Sequence, residues 1–431
     1  MSPSDAGVPK GSRSGSAGLP RRRVAITGLG VKTPAGCDLE SFWDTLVSGR
    51  SPAAPIKRFE MHPELGVRFA CEVSDFDAVA YLGHKEVRRT DRVTHLGMAA
   101  AADAIAQAGN VKADPARCAV VMGTGIGGVE TLESQVVVHD QRGPSRVSPF
   151  FVPMMMPNAT AALVGMAQGW TGPNLTVVTA CAAGTNALGE ATRLIQHGEC
   201  DVILAGGAEA SVTPATMAAF ARMGALSTRN DEPTAASRPF DKDRDGFVMG
   251  EGAAFLVLEE WTAAEARGAT ILGEILGYGR NSDAHHITAP SPGGAGAAAC
   301  MQLALEDAGL SPSDIGHVNA HGTSTPLNDA SEAEAVTKVF GESSPAITST
   351  KGVTGHLIGA AGAAEAVATV LALRHNALPP TANHGTPDEG MNIDVVSGTA
   401  RKIDGTKAAI SNSFGFGGHN ASIIVGPAPA A

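Results

Sequence analysis

The sequence predicts an α/β fold made of two successive halves, because short β-branched or apolar runs alternate with segments that carry small and apolar residues at helical spacing. The runs form two sets along the chain. In the first set the predicted strands cover residues 24–30, 119–122, 176–179, 202–205 and 254–258. In the second set they cover residues 271–276, 317–319, 346–348, 408–411 and 421–425. With 431 residues and 43% hydrophobic content, the chain can bury a sizeable core.

Composition argues against several classes of protein. Residues 1–20 are rich in Ser, Gly and Pro and are predicted to be disordered; the three arginines at 21–23 lack the apolar run of an export signal. The two predicted halves then cover residues 21–265 and 266–431. A net charge of −11 gives no overall support for nucleic-acid binding, and no apolar span approaches the length of a membrane segment. The six cysteines show no paired spacing for zinc or disulfides, which predicts reduced thiols in the cytoplasm.

A cysteine at a predicted strand-to-helix junction is the first candidate catalytic residue. Cys181 follows the predicted strand 176–179, which we expect to be buried, and precedes a helical pattern that runs to residue 195. At a helix N-terminus, unpaired N–H groups and the positive end of the dipole favour a thiolate and can hold an oxyanion. A buried, inert cysteine is the alternative interpretation, and residues further along the chain decide against it.

Two histidines and a lysine lie in specific strings downstream of Cys181. His321 stands in Asn-Ala-His-Gly-Thr-Ser-Thr-Pro, directly after the apolar run 315–318. Lys351 and His356 stand in Ser-Thr-Lys-Gly-Val-Thr-Gly-His, before a segment of small residues suited to a closely packed helix. A lone histidine is usually structural. Two histidines at strand-to-loop or loop-to-helix junctions, together with the cysteine, indicate Cys-His-His chemistry.

Four strings together carry a family resemblance. They are residues 179–181, 321–326, 351–356 and the Asn-Ser-Phe-Gly-Phe-Gly-Gly stretch at 412–418. In this order and spacing they closely resemble elongating β-ketoacyl-acyl-carrier-protein synthases of types I and II, and type II most nearly. The resemblance runs from about residue 23 to the C-terminus. It implies a thiolase fold, in which two duplicated α/β halves form alternating layers of helix and sheet, usually in a homodimer.

The resemblance also implies the reaction. An acyltransferase of this kind joins an acyl-carrier-protein thioester to malonyl-carrier protein by decarboxylative Claisen condensation, giving 3-ketoacyl-carrier protein in fatty acid elongation. The expected partner is an acidic acyl carrier protein, which brings the substrates on its phosphopantetheine. No further cofactor and no metal are expected.

Each residue of the matching strings receives an implied role. Cys181 is the nucleophile, and the N–H groups of Cys181 and Phe416 form the oxyanion hole. His321 and His356, as neutral imidazoles, donate hydrogen bonds to the thioester oxygen when malonyl loses carbon dioxide. Lys351 and Glu365 form a pair that orients the histidines, with a surface salt bridge as the alternative.

Substrate-contact residues are predicted around this centre. Hydroxyl groups for the pantetheine arm come from Thr288, Thr323 and Thr325. Phe416 is also implied to be a gate to the acyl pocket. The other residues expected along the pocket, for each of which ordinary core packing is the alternative, are Ile126, Phe220 and Phe414.

A basic cluster on this acidic chain is the predicted docking surface for the carrier protein. It consists of Lys85, Arg88, Arg89 and Arg92. A solvated helix face is the ordinary explanation for such a run. Because carrier proteins are strongly acidic, a local positive patch on a net-negative enzyme would suit them.

Three motifs imitate other sites. The Gly-rich loop 123–128 matches a dinucleotide fingerprint, but no clear βαβ unit with a ribose-binding acid follows it. Residues 241–246 imitate the start of a calcium loop, whose twelfth position is a glycine instead of the required glutamate. His285 and His286 have no further ligand nearby in sequence and are expected to be structural.

The sequence leaves several alternatives open. A ketosynthase of polyketide or antibiotic biosynthesis or resistance would carry the same motifs. A non-catalytic chain-length subunit usually lacks the cysteine, a degradative thiolase needs a second catalytic cysteine near the C-terminus, and an initiating synthase uses Cys-His-Asn. His419, where many type II enzymes have Thr, and the Ala182-Ala183 pair after Cys181 are departures that leave the pocket shape open.

Overall fold

The structure, a computed structural model, describes residues 21–341 and 345–429, so the tail predicted to be disordered lies outside the described residues. Ten strands form one large sheet, and four two-residue strands form two small pairs. The strands are β1 (Val24–Lys32), β2 (Ala54–Pro55), β3 (Phe69–Ala70), β4 (Cys118–Gly123), β5 (Asn174–Val177), β6 (Val202–Glu209), β7 (Gly252–Glu260), β8 (Gly273–Ser282), β9 (Ile315–Asn319), β10 (Ala346–Thr348), β11 (Ala377–Leu378), β12 (Arg401–Lys402), β13 (Ala408–Gly415) and β14 (His419–Pro427).

The large sheet contains the same five-stranded pattern twice. From the outer edge inwards, the order is β5-β4-β6-β7-β1 in the first half and β10-β9-β13-β14-β8 in the second. In the first half, β4 runs parallel to β5 and β6, whereas β7 runs antiparallel to β6 and β1. The second half repeats these directions, with β9 parallel to β10 and β13, and β14 antiparallel to β13 and β8. The halves meet where β1 pairs with β8, and the predicted duplication is confirmed.

Helices cover and separate the two parts of the sheet. They are α1 (Leu39–Ser48), α2 (Ala78–Val87), α3 (Arg92–Ala108), α4 (Val129–Arg142), α5 (Phe151–Met155), α6 (Ala159–Gln168), α7 (Ala183–Gln196), α8 (Pro214–Arg222), α9 (Trp261–Ala266), α10 (Ala295–Ala308), α11 (Pro326–Phe340), α12 (Lys351–Thr354) and α13 (Ala361–His375). Helices α7 and α13 lie between the two parts; α3 packs on the outer side of the first and α10 on that of the second. The predicted boundary at 265/266 falls in the last turn of α9 and stays a prediction. In the part of the chain that the structure describes, no helix has the length and apolar character required to cross a membrane.

The central helices lie close together because both are built from small residues. A Cβ atom added to Gly184 at the start of α7 would come within 2.8 Å of the backbone nitrogen of Ala363 in α13. Larger apolar side chains further along, such as Leu188 and Val367, fill the fully buried core between the two parts of the sheet. The small-residue segment predicted to be a closely packed helix therefore holds the two halves together at their centre.

One predicted feature of the strands is wrong. The strand before Cys181, β5, was expected to be buried, but its residues are exposed or half-buried. The reason is its position, since β5 is the edge strand of the first half and pairs only with β4. Its apolar Leu175 is 45% exposed, and Val178 just after it is 50% exposed. The β-branched run therefore marks an uncovered sheet edge and not an interior strand.

Candidate active site

Cys181 lies in a tight turn between β5 and α7. The single helical turn Ala180–Ala182 begins where β5 has ended, and α7 follows it directly, as the sequence pattern predicts. Ala180 has a φ of 49°, a left-handed conformation that costs free energy for a residue with a side chain. Cys181 itself is buried, and the loop that carries Phe416 lies against its backbone. A strained turn thus places the thiol at the floor of a site instead of in the surrounding core.

His321 follows β9 in a loop that two acidic residues of α11 hold in place. The carboxylate of Glu332 accepts hydrogen bonds from the N–H groups of His321, at 2.8 Å, and Gly322, at 2.7 Å. Asp329 accepts from the N–H groups of Thr323, at 2.9 Å, and Ser324, at 3.2 Å. Our sequence reasoning missed both acids. Their i,i+3 spacing on the helix directly after the His321 string is the signal that could have revealed them.

His356 lies between the strand-like segment at 248–250 and the turn that leads into α13. Its N–H donates to the carbonyl of Val248 at 2.7 Å, and its own carbonyl accepts from the N–H of Gly250 at 2.9 Å. The ring atom Nδ1 accepts a hydrogen bond from the N–H of Ile358 at 3.2 Å. Because Nδ1 accepts, the proton of the neutral imidazole sits on Nε2. His356 is thereby fixed as a hydrogen-bond donor on its other side.

The thiol and the two imidazoles converge. The Sγ atom of Cys181 and ring nitrogens of His321 and His356 all lie within 4.8 Å of one another. The two imidazole rings meet edge to face, with centroids 5.4 Å apart and planes at 81°. One thiol and two imidazoles could also ligate a divalent cation. The expectation that the site works without a metal stays a prediction.

Lys351 and Glu365 form a buried ion pair behind the histidines. Their side chains are 1% and 2% exposed, and Nζ of Lys351 contacts Oε1 of Glu365 directly. The same ammonium donates to the backbone carbonyl of His321 at 2.6 Å and lies 3.4 Å from its Nδ1. An ammonium has no acceptor, so Nδ1 of His321 accepts and the ring proton belongs on Nε2. A surface salt bridge, the alternative interpretation, does not fit this burial.

Burial and charge keep both imidazoles neutral. Burial lowers the pKa of His321 well below the ordinary value, and the charge of Lys351 and the neighbouring His356 lower it further. Burial also lowers the pKa of His356, with Lys351 acting in the same direction. Both rings therefore offer neutral N–H donors at physiological pH.

Cys181 behaves differently from the sequence-based expectation of a favoured thiolate. Burial raises the pKa of its thiol to about 11, although the charge of Lys351 and the N–H of Phe416 act to lower it. Desolvation of the charged form outweighs the helix N-terminus, because the sulfur is buried. The free site consequently holds a protonated thiol.

The Gly-rich loop that carries Phe416 completes the site. The backbone N–H of Phe416 hydrogen-bonds to the Cys181 sulfur, so a hydrogen-bond donor lies beside the candidate nucleophile. Gly417 and Gly418 have φ values of 85° and 72°, which only glycine adopts without strain. The N–H of Gly417 donates to the carbonyl of Ile287 at 2.7 Å, so the loop is tied to the segment that contains Thr288.

Comparison with known proteins places this chain in a family. Residues 21–264 match the family model "Beta-ketoacyl synthase, N-terminal domain" and residues 272–384 match "Beta-ketoacyl synthase, C-terminal domain". The chain is 48% identical over 413 residues to a 3-oxoacyl-[acyl-carrier-protein] synthase 2 of Synechocystis sp., a match that covers 94% of this chain and 98% of the relative. The chain belongs to the β-ketoacyl synthase family.

Solved structures agree with this assignment. A β-ketoacyl synthase from Burkholderia phymatum superposes with a TM-score of 0.88 at 37% identity, over 95% of this chain and 100% of that one. A type II polyketide ketosynthase in complex with its acyl-carrier protein superposes with a TM-score of 0.87 at 31% identity, over 95% and 100%. The predicted thiolase fold, the family and the condensing acyltransferase activity of fatty acid elongation are confirmed. The relatives favour this pathway over the polyketide alternative.

A cavity in this β-ketoacyl synthase joins Cys181, His321 and His356 to the protein surface. It has a volume of about 440 Å³. The predicted residues that line it are Ile126, Cys181, Phe220, Thr288, His321, Thr323, Thr325, His356, Phe414 and Phe416. Residues that our sequence reasoning missed also line it, among them Met223, Phe247, Leu327 and Ile358. Met223, Phe247 and Ile358 lie in turns and loops, and Leu327 lies in the first turn of α11. No local sequence pattern brings these distant positions together.

The predicted docking cluster divides into two parts. Lys85, Arg88 and Arg89 are exposed on α2 and the loop after it. Arg92 instead faces inwards, where its guanidinium contacts the fully buried Glu251 at 2.6 Å and donates to the carbonyl of Val73 at 2.8 Å. Arg92 therefore does not belong to the exposed cluster, because helix α3 begins at this residue and turns its side chain towards the interior.

The three imitating motifs have structural explanations. The glycine loop forms a cavity wall, in which Gly125 packs against Ile358 and Gly359. Asp241 accepts hydrogen bonds from the N–H groups of Gly385 and Thr386, and Arg244 contacts Asp388 at 2.7 Å, so residues 241–246 form an ion-pair network. His285 and His286 are exposed, and His286 accepts hydrogen bonds from the backbone of the loop that follows.

Proposed function

We propose that this enzyme condenses an acyl-carrier-protein thioester with malonyl-carrier protein, using Cys181 as nucleophile and His321 and His356 as electrophilic donors. The observation that carries the proposal is the meeting of the three reactive groups within 4.8 Å in one cavity. The N–H of Phe416 adds an oxyanion donor beside the sulfur. No free cofactor enters this scheme, since both substrates arrive on phosphopantetheine.

In the first half-reaction the sulfur of Cys181 attacks the thioester carbonyl. The N–H groups of Cys181 and Phe416 stabilise the oxygen of the tetrahedral intermediate. The carbon–sulfur bond to the carrier then breaks, and the thiol proton ends on the departing pantetheine sulfur. An acyl-enzyme remains, which divides one difficult condensation into two easier steps.

In the second half-reaction malonyl-carrier loses carbon dioxide. The electron pair of the breaking carbon–carbon bond moves into the thioester, whose oxygen becomes negative. The Nε2–H groups of His321 and His356 both donate to this oxygen. Because both rings are neutral, they donate as uncharged imidazoles and need no anion to balance them. The resulting carbanion attacks the acyl carbon on Cys181, the carbon–sulfur bond to Cys181 breaks, and the thiolate that leaves takes up a proton from solvent to restore the free thiol.

The walls of the cavity divide into a polar and an apolar part. The hydroxyl groups of Thr323 and Thr325 lie 2.9 Å apart beside His321, and with Thr288 they suit the amides of a pantetheine arm. The apolar part, with Ile126, Phe220 and Phe414, suits an acyl chain. Phe416 lines the same cavity on a loop of glycines, which supports a role as the gate to the acyl pocket.

The carrier protein docks on the exposed basic cluster, now limited to Lys85, Arg88 and Arg89. These three cations stand on a protein of net charge −11, so they are a local attractor for an acidic partner. Replacing Lys85 and Arg88 by Glu should raise the KM for the carrier substrate and leave turnover of a small pantetheine thioester unchanged. An unchanged KM for the carrier would locate the docking surface elsewhere.

The enzyme works as a homodimer in the cytoplasm. The uncovered edge strand β5, with exposed Leu175 and Val178 beside exposed Val152 and Met166, presents apolar surface that a second copy would cover. All six cysteines are free, which suits a reducing compartment. Sedimentation at micromolar concentration tests the dimer: a monomer would contradict this surface assignment.

The acylation of purified protein tests the central proposal. Incubation with acyl-carrier protein should add one acyl group, located on Cys181 by peptide mass spectrometry, and prior alkylation of the thiol should prevent it. A protein that is never acylated or alkylated at Cys181 would instead be a non-catalytic subunit. A series of acyl-carrier substrates would then measure the preferred chain length.

A further inference from the structure

A buried carboxylate outside the catalytic set joins two loops of the active site. Glu209 ends strand β6 and is completely buried. Its Oε2 atom accepts hydrogen bonds from the N–H groups of Gly125, at 2.5 Å, and Gly359, at 3.1 Å. Its Oε1 atom accepts from the hydroxyl of Ser211 at 2.9 Å. One oxygen thus connects a loop of the first half to a turn of the second.

Both connected loops carry residues of the cavity. Ile126 follows Gly125, Ile358 precedes Gly359, and both isoleucines line the cavity beside Cys181. The turn at Ile358 also supplies the N–H that donates to Nδ1 of His356. A displacement of this turn would therefore move the apolar wall and release the imidazole from its fixed tautomer.

The two loops approach each other so closely that they need a connection. A Cβ atom on Gly359 would lie 2.2 Å from the backbone nitrogen of Gly125, so only glycine fits at this point. Ile358 has a φ of 47°, a left-handed conformation that is costly for a β-branched residue. The N–H groups of Gly125 and Gly359 both point at Oε2 of Glu209, and without this acceptor both would be buried and unsatisfied.

Glu209, like Glu332, has backbone N–H partners and differs in this from several other buried carboxylates of the chain. Glu251, Glu259 and Glu365 each contact a cation, whereas the hydrogen-bond donors around Glu209 are N–H and hydroxyl groups. Consistent with this environment, burial raises the pKa of Glu209 to about 7 in spite of these hydrogen bonds. The role of this buried carboxyl group is therefore to accept hydrogen bonds from two backbone N–H groups and not to form an ion pair.

We propose that Glu209 is a positioning residue that fixes the acyl-pocket wall and His356 together through Gly125 and Gly359. The inference rests on the proposed function, because it assigns Ile126 to the acyl chain and His356 to decarboxylation. Acyl-chain fit and malonyl decarboxylation, which use different substrates, then depend on the same carboxylate.

Three substitutions distinguish the effect of the position of the Glu209 side-chain oxygen from the effect of its charge. Glu209→Gln keeps an amide oxygen in place of Oε2 and removes the charge, whereas Glu209→Asp shortens the side chain and keeps the charge. Glu209→Ala removes the group entirely. Ser211→Ala is the matched control, since it removes the partner of Oε1 and leaves both loop contacts in place.

We expect Glu209→Asp and Glu209→Ala to raise the KM for a long-chain acyl thioester about tenfold relative to a short-chain one. In the Cys181→Gln background, the same two changes should slow malonyl decarboxylation by about tenfold. Glu209→Gln and Ser211→Ala should keep the wild-type KM ratio and decarboxylation rate. A stability role alone would lower the melting temperature without changing the ratio of KM values.

Hydrogen exchange in the wild type provides a test that does not depend on a folded variant. Both the Gly125 and the Gly359 amide should be strongly protected, and fast exchange of either would overturn the inference. Normal kinetics in folded Glu209→Asp and Glu209→Ala would overturn it as well. If wild-type Cys181 is never acylated, the proposed function itself fails, an outcome that is independent of the Glu209 variants.

Discussion

In each half of the molecule the strands that come second and third in chain order end at the same cavity, but the two halves contribute different groups to it. In the first half β4 leads to the glycine loop with Ile126 and β5 leads to Cys181. In the second half β9 leads to His321, and β10 leads to Lys351 and His356. In the proposed mechanism, the covalent bond to the acyl group thus belongs to one copy of the strand pattern, and the charge stabilisation belongs to the other.

This comparison explains how a duplicated scaffold supports a two-step reaction. Parallel strands present their carboxyl ends on one side of a sheet, which is where α/β proteins place their binding residues. Because α7 and α13 pack directly against each other, the two ends face one another across the cavity. Each half can therefore be disabled separately, and the halves should fail in different ways.

The largest effect should follow from Cys181→Gln, which disables the first half alone. Condensation should fall by about three orders of magnitude or more, because no acyl-enzyme forms. Malonyl decarboxylation should persist, since His321 and His356 stay in place. The measurement combines product analysis by mass spectrometry with release of labelled carbon dioxide. Loss of decarboxylation in a folded Cys181→Gln protein would show that the two halves are not separable.

Alanine at His321 or His356 should give the converse result. Decarboxylation should fall about 10²- to 10³-fold for each histidine, the usual loss when one donor to a developing oxyanion is removed. Acylation of Cys181 should continue, because its oxyanion donors are backbone N–H groups. Transfer of a radiolabelled acyl chain to the protein measures the first step alone. If either variant also loses acylation, that histidine takes part in both steps and the division between halves is incomplete.

The sequence predicted the residues that meet in the candidate active site better than the groups that hold them in place. Cys181, His321 and His356 each stand in a distinctive local string, and these strings follow strands β5, β9 and β10 of the large sheet. Glu209 acts through the backbone N–H groups of two loops that are distant from it in the chain. Such contacts follow from tertiary packing, and a single sequence contains no periodic signal for them.

Two errors of prediction have the same physical origin. The β-branched run before Cys181 indicated a buried strand, but only the order of strands shows that β5 lies at an edge. The ionised state of Cys181 was inferred from its place at a helix N-terminus, whereas the degree of burial decides its pKa. Local pattern gives the type of element and the reactive atom, and the surroundings determine exposure and charge.

The smallest expected effect concerns the charge that the second half places behind its histidines. In a Lys351→Met, Glu365→Gln double variant, the pKa of His321 and of His356 should rise, because Lys351 lowers both in the wild type. Burial, the main cause of the lowered values, remains, so both rings should still protonate below the ordinary histidine range. The pH dependence of imidazole ¹⁵N chemical shifts measures the change directly.

The double variant is needed because Lys351→Met alone would leave the Glu365 carboxyl buried without its cation, which typically costs about 3–5 kcal/mol. Replacing both partners by neutral groups is far less destabilising, so the fold should persist. Lys338→Met serves as the control, since the pair of Lys338 with Glu334 is exposed at the surface. Lys338 is not among the charges that shift the pKa of His321 or His356. Unchanged histidine pKa values in the folded double variant would contradict the contribution of Lys351 to the lowered values. The neutral rings of the second half would then owe their state to burial alone, as Cys181 owes its protonated state in the first.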